Sequence, residues 1–246
     1  MIKRCFRNRL NSVTRLLLLL ALLTTLPAIA GESTLRPFTL HYKVYKSGVH
    51  VADTELSLQR SGDFWRWRMS SKASGIYSLF TNKNPYSETT FTLSDDRHQI
   101  HNILIADSND KKRVETARFD WESGKLEVRY RGELKQLELM ANVFDFHSIH
   151  LLAARMSRLN LKSELVDFYR RGRLEKSRLE YLGKGTLTLN KTEYQTNIFV
   201  HTGSQSKSKL TYLYDAKNPL VPIRIEKTKP GKSPTVMLLE KMEWHS

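Results

Sequence analysis

In Phe38-Thr39-Leu40-His41-Tyr42-Lys43-Val44 the apolar side chains fall on every second residue. That period sends them to one face of a strand. The alternation recurs, less strictly in places, over residues 54–58, 64–69, 89–93, 103–105, 117–121, 126–130, 187–189, 210–214, 221–225 and 236–239. Turn-forming residues separate these stretches: Ser47-Gly48, Ser61-Gly62-Asp63, Ser94-Asp95-Asp96, Ser123-Gly124, Arg171-Gly172 and Lys229-Pro230-Gly231. Short strands joined by tight turns predict an antiparallel meander. The recurring crossover helices that parallel pairing needs are missing from the pattern.

One stretch changes period. Between Asp145 and Leu159 the apolar residues Phe146, Ile149, Leu152, Ala153 and Met156 are spaced for one face of a helix. Asp145 is placed to cap its first turn, and Arg155 and Arg158 suit the negative end of its dipole. A shorter helical turn is expected over 75–80. The fold class that follows is mainly β: a strongly bent antiparallel meander sheet, an open or partial barrel, with one main helix packed on it over about residues 145–159.

The N-terminus follows a different rule. Lys3, Arg4, Arg7, Arg9 and Arg15 precede the apolar run Leu16–Leu23, and Ala28-Ile29-Ala30 forms a small-x-small site. These are the three parts of a cleavable signal peptide. The run is far shorter than the roughly 20 apolar residues of a membrane span, and Pro27 would break its last turn. The expected organisation is a signal peptide over 1–30, cleaved after Ala30, and a single β-rich domain over 31–246. The expected location is the periplasm, with no transmembrane span after cleavage. The only cysteine is Cys5, and Gly31 rather than cysteine follows the cleavage site, so the protein should not be a lipoprotein. Without Cys5 the chain has no disulfide, thiolate nucleophile or cysteine-ligated zinc. Cleavage removes five of the 40 Lys/Arg and none of the 25 Asp/Glu, lowering the formal charge from +15 to +10. The cations are spread along the chain, apart from Arg170-Arg171-Gly172-Arg173, which reads as a hairpin tip.

Chemical motifs are sparse. No Gly-x-Ser-x-Gly elbow is present, and Glu226 stands where a phosphate-binding loop ending at Gly231-Lys232-Ser233 would need glycine. His147 and His150, three apart on the predicted helix, share a face and are the metal candidates, but they fall short of a full ligand set. No metal, cofactor or catalytic residue is assigned. The aromatics offer more. Trp65 and Trp67 share one strand face, with Arg66 and Arg68 on the other. Alternation of this kind ordinarily means a core Trp pair and a solvated Arg pair. The functional alternative is an apolar trough lined by Trp65 and Trp67, with Tyr77 and Phe80 at its mouth and Arg66 and Arg68 meeting anionic headgroups.

The order of the landmarks resembles a known bacterial family. A strand, a Gly turn and a second strand over 38–58 are followed by Ser-Gly-Ile-Tyr-Ser-Leu-Phe over 74–80. Then come the Asp-x-x-Ser helix start at Asp145 and Ser148, and Tyr-Asp…Asn-Pro-Leu-Val-Pro-Ile-Arg-Ile over 214–225. Together these are similar to the exported proteins of domain-of-unknown-function family 3108, from about Phe38 to the end. The resemblance implies an envelope location and a mostly antiparallel β fold, and it brings no activity. Asp145 and Ser148 are the matched positions.

The expectation is therefore a soluble periplasmic protein, non-enzymatic, binding a lipid, a glycan or an envelope protein through its curved sheet, and not nucleic acid. The alternatives are an envelope enzyme processing glycan or peptidoglycan, with Asp145, His147 or His150 as candidates, and an assembly factor without a small ligand.

Overall fold

The computed structural model describes residues 35–79, 81, 83–94, 97–110 and 114–245. The predicted signal peptide, Phe80 and the Asp95-Asp96 turn lie outside the described residues.

Strand β1 (Phe38–Lys46) buries Phe38, Leu40, Tyr42 and Val44 and leaves the residues between them part-exposed. The period-2 pattern thus becomes a wall with one packed face. From β1 the chain meanders outward through β2 (Val49–Ser61), β3 (Phe64–Ala73), β4 (Pro85–Ser94), β5 (Arg97–Asp107), β6 (Glu115–Asp120), β7 (Lys125–Tyr130) and β8 (Glu133–Glu138). A two-residue strand, β9 (Val143–Phe144), and the helix α1 (Ile149–Leu159) follow. A second meander then runs back through β10 (Ser163–Arg170), β11 (Arg173–Leu189), β12 (Thr192–Gly203), β13 (Lys209–Asp215), β14 (Pro222–Lys229) and β15 (Lys232–Trp244). β15 pairs with β1, so the first and last strands lie at the middle of one 15-stranded sheet, with β8 and β9 at its edges. Every neighbouring pair is antiparallel except β9 with β10. The sheet therefore has two arms, β1–β8 and β15–β9, built from opposite halves of the chain.

The arms curl toward each other and meet without a backbone ladder. Val143 of β9 and Tyr169 of β10 pack among Ile100, Ile103, Ala117, Phe119, Leu126 and Val128 of β5–β7. His98 Nε2–H donates to the Val143 carbonyl at 3.0 Å. The Tyr169 hydroxyl and the Gly172 amide both donate to the Glu115 carboxylate, at 2.8 and 2.9 Å. The result is a barrel-like sheet whose seam is closed by side chains.

The helix fills the inside of the second arm. Ile149, Leu152, Ala153 and Met156 pack against Val166, Phe168, Leu179, Phe199, Tyr212, Tyr214 and Ile225. Its N-terminal end also touches the first arm, where the His150 ring lies 5.5 Å from that of Trp67. The regular helix begins at Ile149, four residues later than the sequence spacing suggests, because a tight turn over 146–148 precedes it. Ser148 rather than Asp145 occupies the N-cap position and makes no side-chain cap bond to the helix. Asp145 closes the preceding turn: its Oδ1 accepts the Ser148 N–H at 2.7 Å, and its carbonyl accepts the Ile149 N–H. Ser148 Oγ accepts the Asp145 N–H at 2.8 Å in return. Two free amides of the helix start are thereby satisfied reciprocally. A short 3-10 turn spans Gly75–Leu79, within the region where a helical turn is expected.

Candidate functional site

The two arms do not fill the space between them. A cavity of about 320 Å³ opens where the inner faces of β3–β5 oppose those of β10–β14. Strand register explains its walls, since directly paired residues of neighbouring strands share a face. Across β3, β4 and β5, Met69, Ser87 and Ile105 form one row of the wall, and Thr89 and Ile103 belong to the next, whose β3 member Trp67 packs into the core instead. Across β12, β13 and β14, His201, Leu210 and Lys227 form the opposing row. Phe168 of β10 packs against His201 with ring centres 4.5 Å apart. Phe146, from the turn before α1, also faces the space. A polar recess of about 500 Å³ lies elsewhere, lined by Lys43, Asp53, Glu55, Lys72 and Glu240 among others. Its charged lining gives it the character of ordinary wet surface.

Where the cavity meets the start of α1, a chain of buried polar groups ties that helix to β4. Thr89 Oγ1 donates to Asp145 Oδ2. With its only hydroxyl hydrogen so used, Thr89 can accept at 3.0 Å only from a protonated His147 Nδ1. His147 Nε2 is then an acceptor, and Ser87 Oγ donates to it at 3.0 Å. Burial is the largest influence on His147 and holds its pKa below the ordinary histidine value, so the ring is neutral near pH 7. Asp145 and Ser148, singled out in the sequence as the start of the helix, are thus also bound to the cavity wall.

The mouth carries positive charge. Arg170 at the end of β10, Arg171 in the β10–β11 turn and Lys227 of β14 all line the cavity, and Arg171 and Lys227 are exposed. Glu175, almost wholly buried, lies 3.7 Å from Arg170 and 3.5 Å from Arg173. Neither Arg171 nor Lys227 has an acidic partner among the described residues. Partial burial, and then the charges of Arg170, Arg171 and Lys229, push the Lys227 pKa below the usual lysine value. His201 is 5% exposed and its Nε2 has no hydrogen-bond partner. Burial, with a smaller contribution from Arg170, lowers its pKa to about 4.

The residues singled out from the sequence are distributed differently. Trp65 and Trp67 point inward into packed core: Trp67 is fully buried, with Phe38 edge-on at 5.5 Å, and Trp65 lies under Arg60. Neither lines the cavity. Arg66 and Arg68 are exposed on the other face. Arg66 pairs with Glu88 at 3.2 Å, and Arg68 covers the ring of Tyr86, which borders the cavity. Tyr77 is exposed on the 3-10 turn, apart from the cavity lining. His147 uses both ring nitrogens within the protein. His150 Nδ1 bonds to the Tyr214 hydroxyl at 2.7 Å, while its Nε2 is buried without a partner. Among the described residues no three His, Cys, Asp or Glu are disposed to hold a metal ion. Ser87, Thr89 and Lys227 were not singled out by sequence reasoning. Their only sequence signal was inward parity on a strand, which they share with ordinary core positions.

Comparison with known proteins follows the fold. The family described as protein of unknown function (DUF3108) matches residues 37–239. A beta-barrel-like protein of the DUF1849 family from Brucella abortus has a similar structure, with a TM-score of 0.59 at 8% sequence identity, covering 86% of this chain and 99% of that one. A protein designated a lipoprotein from Parabacteroides distasonis aligns with a TM-score of 0.30 at 10% identity, over 85% of this chain and 96% of the other. No curated protein matches the chain. Similarity at 8% identity speaks to the fold alone. No helix among the described residues is long and apolar enough to cross a membrane.

Proposed function

Because this chain belongs to the DUF3108 family, whose description carries no activity, we propose its function from the cavity: an exported, non-enzymatic protein that carries an amphiphilic molecule between the two arms of its sheet. The observation that carries this reading is the unfilled, largely apolar space bounded by Met69, Ile103, Ile105, Phe146, Phe168 and Leu210. Protein interiors are close-packed, and a void of this size lies at the lower end of the roughly 300–1,000 Å³ typical of small-molecule sites. On this proposal the ligand sits in the seam between the arms, while Trp65 and Trp67 serve as core. The N-terminal sequence supports delivery to the periplasm by a signal peptide cleaved after Ala30.

The test is mass spectrometry of the protein purified from the periplasm without detergent. A stoichiometric apolar or amphiphilic compound is expected. It should be lost from Leu210→Trp, which fills the space from the β13 wall. An empty wild-type protein that also fails to take up an environment-sensitive apolar dye would end the carrier reading.

A second reading, an envelope enzyme, is favoured by one observation, the Ser87–His147–Thr89–Asp145 hydrogen-bond chain beside the cavity. A histidine with Nε2 accepting from a serine hydroxyl has the orientation of a general base. A fluorophosphonate probe on the same preparation separates the readings. A carrier leaves Ser87 unlabelled, whereas covalent labelling there would make the protein a hydrolase.

A further inference from the structure

We propose that the cavity selects a single-chain amphiphile with an anionic headgroup, a carboxylate or a phosphate monoester, held at the mouth by Arg171, Lys227 and His201. This rests on the carrier reading and names its ligand class.

The polar groups around the cavity divide into those already occupied by the protein and those left open. The Tyr169 hydroxyl is committed to Glu115, and the Tyr86 hydroxyl to Glu88 at 2.9 Å. Asp145 is held by Thr89 and Ser148. Glu175 is charge-paired with Arg170 and Arg173 at 3.7 and 3.5 Å, but its buried Oε2 has no hydrogen bond. Apart from that carboxylate, whose charge Arg170 and Arg173 offset, what remains is cationic or neutral: Arg171, Lys227 and the bare Nε2 of His201.

A ring nitrogen in a side chain only 5% exposed is costly without a partner, since a buried polar atom left unsatisfied has lost its water and gained nothing in return. His201 shares its cross-strand row with Lys227, one strand apart through Leu210, so one small headgroup can touch both. Arg171 adds a planar fork suited to carboxylate or phosphate. Beyond this row the wall turns aliphatic, through Met69, Ile103 and Ile105. A glycan is disfavoured, because a sugar needs many open donors and acceptors, and here the hydroxyls of Tyr86 and Tyr169 are already committed to protein carboxylates. The small volume argues for one chain rather than two.

The experiment compares dodecanoate, dodecyl phosphate and dodecanol by titration calorimetry on protein freed of bound ligand. A charge-assisted hydrogen bond contributes about 1.5–3 kcal/mol, and about 1.4 kcal/mol is tenfold in affinity. At least one anion should therefore bind roughly tenfold or more tighter than the alcohol. The tighter anion identifies the headgroup. Arg171→Gln, at an exposed turn, and Lys227→Met, which keeps the apolar stem, should each weaken the anion about tenfold and leave the alcohol unchanged. Melting temperatures of both variants close to wild type would show that the fold is intact. Equal affinity for anion and alcohol would overturn the headgroup assignment while leaving an apolar carrier. No binding of any of the three would remove the carrier reading as well.

Discussion

At the residue scale, Thr89 holds the most exacting position. It is fully buried in the middle of β4, and its one hydroxyl both donates to Asp145 and accepts from His147. Thr89→Val keeps the shape but strands two buried polar partners, one of them a carboxylate. Removing one partner of a buried pair costs the desolvation of what remains, about 1–3 kcal/mol. Urea denaturation should show a loss in that range for Thr89→Val and a smaller one for Ser87→Ala, since Ser87 is only half-buried at the cavity wall. Equal losses would mean that the chain acts as a rigid unit and not through its buried end. Asp145 and Ser148 were legible beforehand because the turn at a helix start is local chemistry, settled within four residues. Thr89 was not, because nothing near it in sequence announces a partner 56 residues away.

At the scale of elements, hairpins behaved as their turn residues predict. The Arg170–Arg173 tip is the informative case. Arg171 and Gly172 both have positive φ, 50° and 72°, the mirror-image turn that matches strand twist. Gly172 is also where the second arm touches the first: a Cβ there would come within 2.7 Å of Tyr130 Cβ on β7. Its N–H is held by Glu115 of β6. Gly172→Ala is therefore strained twice, by conformation and by contact, and the atom it meets is close to backbone. We expect a loss of more than about 1 kcal/mol, with faster amide exchange in β6, β7, β10 and β11 than in the central β1–β15 pair. Exchange raised uniformly would place the weak point elsewhere. The turn could be read from two residues of sequence; its role in closing the seam depends on Tyr130 and Glu115, 42 and 57 positions away.

For the whole molecule, histidine burial couples the fold to pH. Burial, the largest cause in each case, lowers the pKa of His98, His147, His150 and His201, with His150 at about 3 and His201 at about 4. The unfolded chain takes up protons at these side chains near pH 6.5, while the folded one takes them up only at lower pH, near 4 for His201 and near 3 for His150. Between those values the unfolded state binds more protons, so stability falls as pH drops. The melting temperature should hold steady above about pH 7 and decline from about pH 6.5 toward pH 4. His201→Gln should flatten part of that decline. A melting temperature indifferent to pH across this window would contradict the buried neutral histidines. These groups belong to both arms, so acid should loosen the assembled sheet as one unit.

Sequence alone determined the kind of element, mainly strand with one helix, because strand alternation, turn chemistry and helix capping act within a few residues. The strands at 133–138, 163–170 and 192–203, whose alternation is weak, escaped it, as did most strand ends. It also decided the meander, since tight turns leave a strand little choice but to pair with its predecessor. Inward parity was legible too, and it correctly turned Trp65 and Trp67 away from solvent. What parity could not say is whether an inward side chain meets another or meets empty space. That is settled by what stands opposite, and here the opposing wall comes from the other half of the chain. Met69, Ser87 and Ile105 face His201, Leu210 and Lys227 only because β15 pairs back onto β1 and the two arms curl to a seam. The cavity is a property of that closure: each arm's row is ordinary strand alternation, and only their distance apart leaves a space with unpaired charge at its mouth.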